Sequence, residues 1–353
     1  MRITVIGAGA IGTLVATHLA RAGVDVFLVV RDAYVSQWEG RELRVDVPGE
    51  LPRVANVAVR PEGEAPLSVG ETDGILVTVK AYDTAPLAER LRSHPSPARV
   101  LTLQNGVGNE EAFAQAVGEE RVFSAALTTP VQVLEPGHVR VTRKSFKMGL
   151  APVQLNGESQ EWLTQVARAF SSQGFQVRVH GDYRALKWSK LLMNITANAQ
   201  AALLGWPPAR VFAHPVAGTL EVHAWKEALA VMDRLGVRPI PCGGYPLPLV
   251  TPFIRALPAR WLRPLMGRFA GKGRGEKMPS VFLDLARGRK RTEVPWLNGA
   301  VARWGEQVGL ATPVNRTLDR LVDRVARGDL PWAVVRDRPE FIATHVEAAR
   351  EGG

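Results

Sequence analysis

Cysteine is nearly absent: Cys242 stands alone among 353 residues, which excludes an intrachain disulfide and fits a reducing compartment. No apolar run approaches the ~20 residues that a membrane-spanning helix requires. The opening MRITVIGAGAIG has neither a charged leader with an apolar core nor a small-residue cleavage site, so a cytoplasmic location is expected. Internal repeats and low-complexity tracts are missing too. What remains, 46% hydrophobic and 22% charged residues, describes a soluble globular protein, and its length favours two domains over one core. Lys and Arg total 44 against 34 acidic residues, a formal charge of +10. Such a balance attracts polyanions in general, so nucleic acid, anionic lipid and a phosphorylated cofactor all suit it. Much of the excess lies in ARWLRPLMGRFAGKGRGEK (Ala259 to Lys277) and ARGRKR (Ala286 to Arg291). A solvated cover over a second core is favoured there over an interfacial helix or a nucleic-acid arm built on Arg260, Arg263 and Arg268.

Apolar and turn patterns organise the chain. Ile3 to Ile6 form a buried run that enters Gly7-Ala8-Gly9-Ala10-Ile11-Gly12, and a helical pattern follows to Gly23. In such a GxGxxG turn the first glycine permits the tight bend, the second lets amides approach a pyrophosphate, and the third allows close helix–strand packing. VDVFLVV (Val24 to Val30), Gly74 to Val79 and Arg99 to Leu103 read as further buried strands, with a helix over Thr84 to Leu91. The alternation implies a mostly parallel sheet with helices on both faces. VFSAALTTPVQVLEPGHVRVT, turning at Glu135-Pro136-Gly137, suggests an antiparallel hairpin appended to that sheet. Short strands at Ser145 to Leu150 and Phe175 to Val179 flank a helix near Ser159 to Ser171. From Tyr183 onward the spacing is helical, except for a long, partly irregular excursion from Leu235 to Pro279 where proline and glycine are dense. The expected fold is therefore an α/β N-terminal Rossmann-type dinucleotide-binding domain with a mostly parallel sheet (residues 1–182), plus an all-α C-terminal domain (residues 183–353).

Several polar residues interrupt these patterns. Arg31 closes the second strand, where an arginine can pair with the 2′-phosphate of NADP, while the adjoining Asp32 could instead hold a free ribose hydroxyl. Lys80 and Asn105 fall beyond the carboxyl ends of strands, where open parallel sheets bind ligands, though a structural turn explains either residue as well. In LKWSKLLMNITANAQAALLG, Lys190, Asn194 and Asn198 recur at helical spacing, with nothing ionisable from Leu191 to Ala209. A lysine there can protonate or polarise a carbonyl and asparagines can orient a polar substrate. Snorkelling of the lysine and helix–helix pairing of the amides is the competing explanation.

GAGAIG, Arg31, VTVKAYD, LQNGVGN, KWSKLLMNITAN and PSVFLDLARGRKRTEVPWLNG, in that order, resemble the ketopantoate reductases (2-dehydropantoate 2-reductases) over nearly the whole chain. The resemblance implies NADPH-dependent reduction of 2-dehydropantoate to pantoate, a step of pantothenate and coenzyme A biosynthesis. It assigns Lys190 as general acid, Asn194, Asn198 and Ser280 to substrate, Lys80 to cofactor, Asn105 to both, and Glu293 to the cofactor and the catalytic centre. No metal is implied. Val281 stands where the family usually has methionine, and the span from Ser280 to Glu293 is one residue longer than usual. Reduction of another 2-oxo acid or an opine-type imine is the alternative within the fold. A nucleotide-sensing protein that binds nucleic acid or membrane is the alternative outside it, and a homodimer is compatible with either.

Overall fold

The computed structural model describes residues 1–351 apart from 39, 66, 68–70, 95 and 275–277. The end of the basic stretch Ala259 to Lys277 thus lies outside the described residues. Two compact units emerge: one comprises Met1–Gln104, Gly108–Lys187 and Cys242–Gly244, the other Asn105–Val107, Trp188–Pro241 and Tyr245–Gly353.

In the first unit β1 (Arg2–Ile6), α1 (Ala10–Arg21) and β2 (Asp25–Val30) open the chain. They are followed by β3 (Leu43–Asp46), β4 (Arg53–Ala55), β5 (Ala58–Pro61), β6 (Gly74–Val77), α2 (Thr84–Ser93), β7 (Arg99–Thr102) and α3 (Asn109–Val117). Then come β8 (Val122–Leu127), β9 (Val131–Glu135), β10 (His138–Val141), β11 (Phe146–Pro152), α4 (Gly157–Ser172) and β12 (Phe175–Val179). Eight strands form one sheet in the order β12-β11-β8-β7-β6-β1-β2-β5. All neighbours in it are parallel except β11 and β8. Strand alternation divides the apolar side chains between two faces. Ile3, Val5, Leu28, Leu76 and Leu101 face the core that α1 and α4 cover with Leu14, Leu19, Trp162 and Phe170. Ile6, Val29, Ile75, Val77 and Val100 face the core covered by Leu87 and Leu91 of α2 and Phe113 of α3.

The Glu135-Pro136-Gly137 hairpin forms, with Gly137 at φ +79°, but it does not extend the main sheet as its sequence suggests. It joins a separate four-stranded sheet, β4-β3-β10-β9, whose β3 and β4 carry too few residues to stand out by periodicity. That sheet lays Leu43, Val45, Val139 and Val141 into the same core as α1.

α5 (Tyr183–Ile195) begins the helical part of the chain. The second unit continues with α6 (Ala199–Leu204), α7 (Pro208–Ala213), α8 (Pro215–Arg234), α9 (Leu247–Ala256), α10 (Ala259–Arg274) and α11 (Ser280–Ala286). α12 (Asn298–Gln307), α13 (Pro313–Arg327), α14 (Trp332–Val335) and α15 (Pro339–Glu351) complete it. The span expected to be irregular is thus largely helical. Pro248 sits in the first turn of α9, where a missing N–H costs little, while Pro252 and Pro264 lie inside α9 and α10 and each give up a backbone bond. Leu262 and Met266 of α10 are buried while Arg260, Trp261 and Arg268 are exposed, as a cover over a core requires. No helix among the described residues is long and apolar enough to cross a membrane.

Candidate active site

Gly7 leaves β1 at φ +106°, a left-handed conformation that favours glycine, and a Cβ there would lie 2.8 Å from the Val79 amide nitrogen. Thr78 Oγ1 donates to Gly7 O at 2.6 Å, fixing the bend against β6. A Cβ on Gly12 would come within 1.8 Å of Gly7 O, so α1 can start this close to the strand only with glycine there. Gly9 differs from both: it is exposed and a Cβ on it would meet nothing within 4 Å. It is the N-cap of α1, no side chain caps the first turn, and no acidic residue lies in that turn. Uncapped amides, the positive end of a helix dipole and open space above Gly9 together suit a pyrophosphate. Ala8, Ala10 and Ile11 complete this turn and are partly buried.

Around the glycine turn the polar groups are already engaged. Arg31, exposed just past β2, pairs through Nη2 with Asp83 Oδ2 at 2.8 Å. Asp32 Oδ1 accepts from the Gly63 amide at 3.1 Å. Lys80 is partly buried and precedes a short 3₁₀ turn, Ala81–Asp83. Its carbonyl accepts from Gln104 Nε2 at 3.3 Å, which also donates to Thr84 Oγ1 at 2.9 Å. Thr84 in turn donates to Asn109 Oδ1 at 2.8 Å. Sequence reading missed Gln104, Thr84 and Asn109, because only the fold brings the ends of β6 and β7 to one place.

It also missed a deeply buried charge pair. Lys187, which looks like a helix-surface lysine, is buried with its Nζ 3.1 Å from Glu110 Oε1, the two side chains being 3% and 1% exposed. Glu110 accepts from Ser124 Oγ at 2.8 Å, and Lys187 donates to Gln104 O. A charge pair this dry survives only when further hydrogen bonds satisfy it, as here.

In the second unit Lys190 lies on α5, partly buried beside the buried Leu191 and Leu192, with Asn194 one turn further on. Asn194 Nδ2 donates to Asn105 Oδ1 at 3.2 Å. Asn105 is exposed, and the following Gly106 has φ +87°, where a Cβ would lie 2.4 Å from Trp296 O. Val107 N donates to that same carbonyl at 3.2 Å.

Asn198 does not continue the helix of Lys190 and Asn194, as their spacing predicts. α5 stops at Ile195, Ala197 adopts φ +42°, and Asn198 becomes the N-cap residue of α6. The cause is tertiary: Glu221 Oε2 of α8 accepts from the Ala197 amide at 2.8 Å, and Trp225 Nε1 donates to Thr196 Oγ1 at 3.0 Å. Asn198 nevertheless stays with Asn194, donating through Nδ2 to its carbonyl at 3.0 Å. Its Oδ1 is buried without a hydrogen-bond partner among the described residues, a costly state for an amide. Ser280 opens α11 and is exposed, whereas Glu293 is 7% exposed, at the start of a 3₁₀ turn.

The glycine turn, the eight-stranded sheet and the helical second unit define a dinucleotide-binding α/β protein of the oxidoreductase type. Residues 3–153 match the family model "Ketopantoate reductase PanE/ApbA" and residues 182–326 match its C-terminal counterpart. The chain therefore belongs to the ketopantoate reductase family, whose members are nicotinamide-dinucleotide reductases. Among relatives, a 2-dehydropantoate 2-reductase of Archaeoglobus fulgidus is 30% identical over 93% of this chain and 98% of its own. One of Mesorhizobium japonicum is 31% identical over 92% of this chain and 98% of its own. A PanE/ApbA-family ketopantoate reductase of Ralstonia eutropha superposes with a TM-score of 0.76 at 26% identity, covering 93% of this chain and 99% of that one. D-mandelate dehydrogenase with NADH and anilino(oxo)acetate shares the fold at a TM-score of 0.76 and 21% identity, over 93% and 99% of the two chains.

Proposed function

We propose that this protein reduces 2-dehydropantoate to pantoate with NADPH in the cytoplasm, residues 1–182 holding the dinucleotide and residues 183–353 supplying the substrate and catalytic groups. Asn198 Oδ1 is the observation that carries the substrate half: a buried acceptor with no partner among the described residues calls for a donor, and 2-dehydropantoate brings a hydroxyl. Asn194, bonded to Asn105, and Ser280 at the start of α11 would bind the rest of the substrate.

Gly7 to Gly12 fit the pyrophosphate for the reasons given above, with Arg31 taking the 2′-phosphate and Lys80, Asn105 and Glu293 completing the cofactor contacts. The bound nicotinamide would supply the hydride that reaches the keto carbon. Lys190 would then give a proton from Nζ to the former keto oxygen, so that the C=O bond becomes C–OH and the amine is reprotonated from solvent. Its ammonium also polarises that oxygen beforehand, favouring the charge that develops there. Glu293 is assigned to the catalytic centre together with Lys190.

NADPH oxidation with 2-dehydropantoate, alongside other 2-oxo acids with and without amines, tests the substrate: turnover confined to another acid overturns it. Lys190→Ala is expected to lower kcat by about 10²- to 10⁴-fold while dinucleotide binding persists. Near-normal kcat in that variant removes Lys190 from the chemistry.

A further inference from the structure

The structure assigns to Asp83 a part in choosing between the two nicotinamide dinucleotides, and we propose that its ion pair with Arg31 tempers the preference for NADPH. This deepens the nucleotide reading above and rests on it. Arg31 is the residue assigned above to the 2′-phosphate, yet its guanidinium already has a partner in the Asp83 carboxylate at 2.8 Å. The Asp83 amide donates to Lys80 O at 2.9 Å, which fixes the carboxylate at the end of the loop that carries Lys80. A 2′-phosphate approaching Arg31 must share the guanidinium with a carboxylate and meets that carboxylate's charge. A 2′-hydroxyl brings no charge and can donate to it.

Asp83 could instead hold Arg31 ready for the phosphate, and the degree of exposure decides between the two. The Arg31 side chain is 59% exposed and that of Asp83 25%. Solvent weakens both effects here, but ordering gained from so exposed a pair is small, whereas a carboxylate and a phosphate dianion drawn to one guanidinium still repel each other by about 1 kcal/mol per pair of unit charges at ~4 Å in water. Asp32 gives no relief, since its Oδ1 is turned to the Gly63 amide and it adds a second negative charge beside Arg31.

The test is equilibrium binding of NADP⁺ and of NAD⁺ to the full chain by calorimetry, comparing wild type with Asp83→Asn. The variant is expected to bind NADP⁺ about fivefold more tightly, with NAD⁺ affinity nearly unchanged. Glu89→Gln removes the same charge from an exposed position on α2, where Glu89 pairs with Arg92, and is expected to leave the ratio of the two affinities alone. Unchanged or weaker NADP⁺ binding by Asp83→Asn overturns the proposal, as does an equal shift for NAD⁺ or for Glu89→Gln. Asp83→Ser repeats the comparison should the first variant melt early. Failure of the wild type to bind either dinucleotide sinks the nucleotide reading and this inference with it, whereas binding of both with no change of ratio sinks the inference alone.

Discussion

His18 shows how closely single side chains are specified in the first unit. It lies fully buried on α1 against the stacked rings of Phe146 and Phe175, at centroid distances of 5.2 and 5.0 Å. Nδ1 is 2.7 Å from Leu14 O and so must donate, while Nε2, 3.1 Å from Arg53 Nη1, must accept. A second ring proton would point at a guanidinium, and burial, followed by the Arg53 charge, lowers the pKa to about 4. Because this pKa is depressed below its unfolded value of about 6.5, the unfolded chain takes up the proton first as pH falls. Stability contributed by neutral His18 is thus fully present above about pH 6.5 and is lost between there and pH 4, by up to on the order of 3 kcal/mol. Urea unfolding at stepwise pH is expected to show that slope in wild type and a flatter one in His18→Gln; parallel slopes would rule His18 out as its source. Little of this is visible in the sequence, where His18 is one polar letter in an apolar helix. The glycine turn is visible there because its chemistry is local: within six residues Gly7 and Gly12 meet two steric demands, and Gly9 leaves open space over the first turn of α1. Lys187 and Glu110 carry no such signal, since their pairing depends on α5 meeting the start of α3 within the fold.

At the scale of elements, periodicity located β1, β2, α4 and β12 well, because each is long or apolar enough to fix its own register. It failed where a neighbour decides the backbone. Nothing in Thr196-Ala197-Asn198 breaks a helix by propensity as glycine or proline would, yet α8 ends α5 by capturing the Ala197 amide with Glu221. Holding alanine at φ +42° costs energy that glycine would not incur. Ala197→Gly is accordingly expected to raise stability by roughly 0.5–1 kcal/mol despite the larger entropy of its unfolded chain, seen as a higher denaturation midpoint at constant slope. A lower midpoint would mean that the turn between Asn194 and Asn198 has another geometry. α9 and α10 went unread for the opposite reason: their prolines signal interruption, while burial of Leu247, Ile254, Leu262 and Met266 outweighs the backbone bonds lost.

For the molecule as a whole, charge is the property that composition shows and the fold then distributes. From Leu235 to Gly275 there is no Asp or Glu, and Arg255, Arg260, Arg263 and Arg268 all fall within that span. Arg255 is bound by both oxygens of Asp233, at 2.9 and 2.6 Å, which removes one of them from the free balance. Arg260 and Arg268 are exposed on the same helix as Trp261 and Leu265, whose side chains are 59% and 46% exposed. A surface of this kind binds polyanions by releasing counterions, with no means of reading a sequence, so its affinity must fall steeply with salt. The full chain should therefore be retained on a heparin matrix at about 50 mM salt and largely released by about 200 mM. Arg260→Glu together with Arg268→Glu should shift release to lower salt without altering NADP⁺ affinity, because Arg31 and the glycine turn belong to the other unit. Retention that persists to high salt, or a preference for one nucleic-acid sequence, would instead indicate a built recognition surface. A loss of NADP⁺ binding in the same double variant would show that the late arginines, rather than Arg31, supply the positive charge for the cofactor.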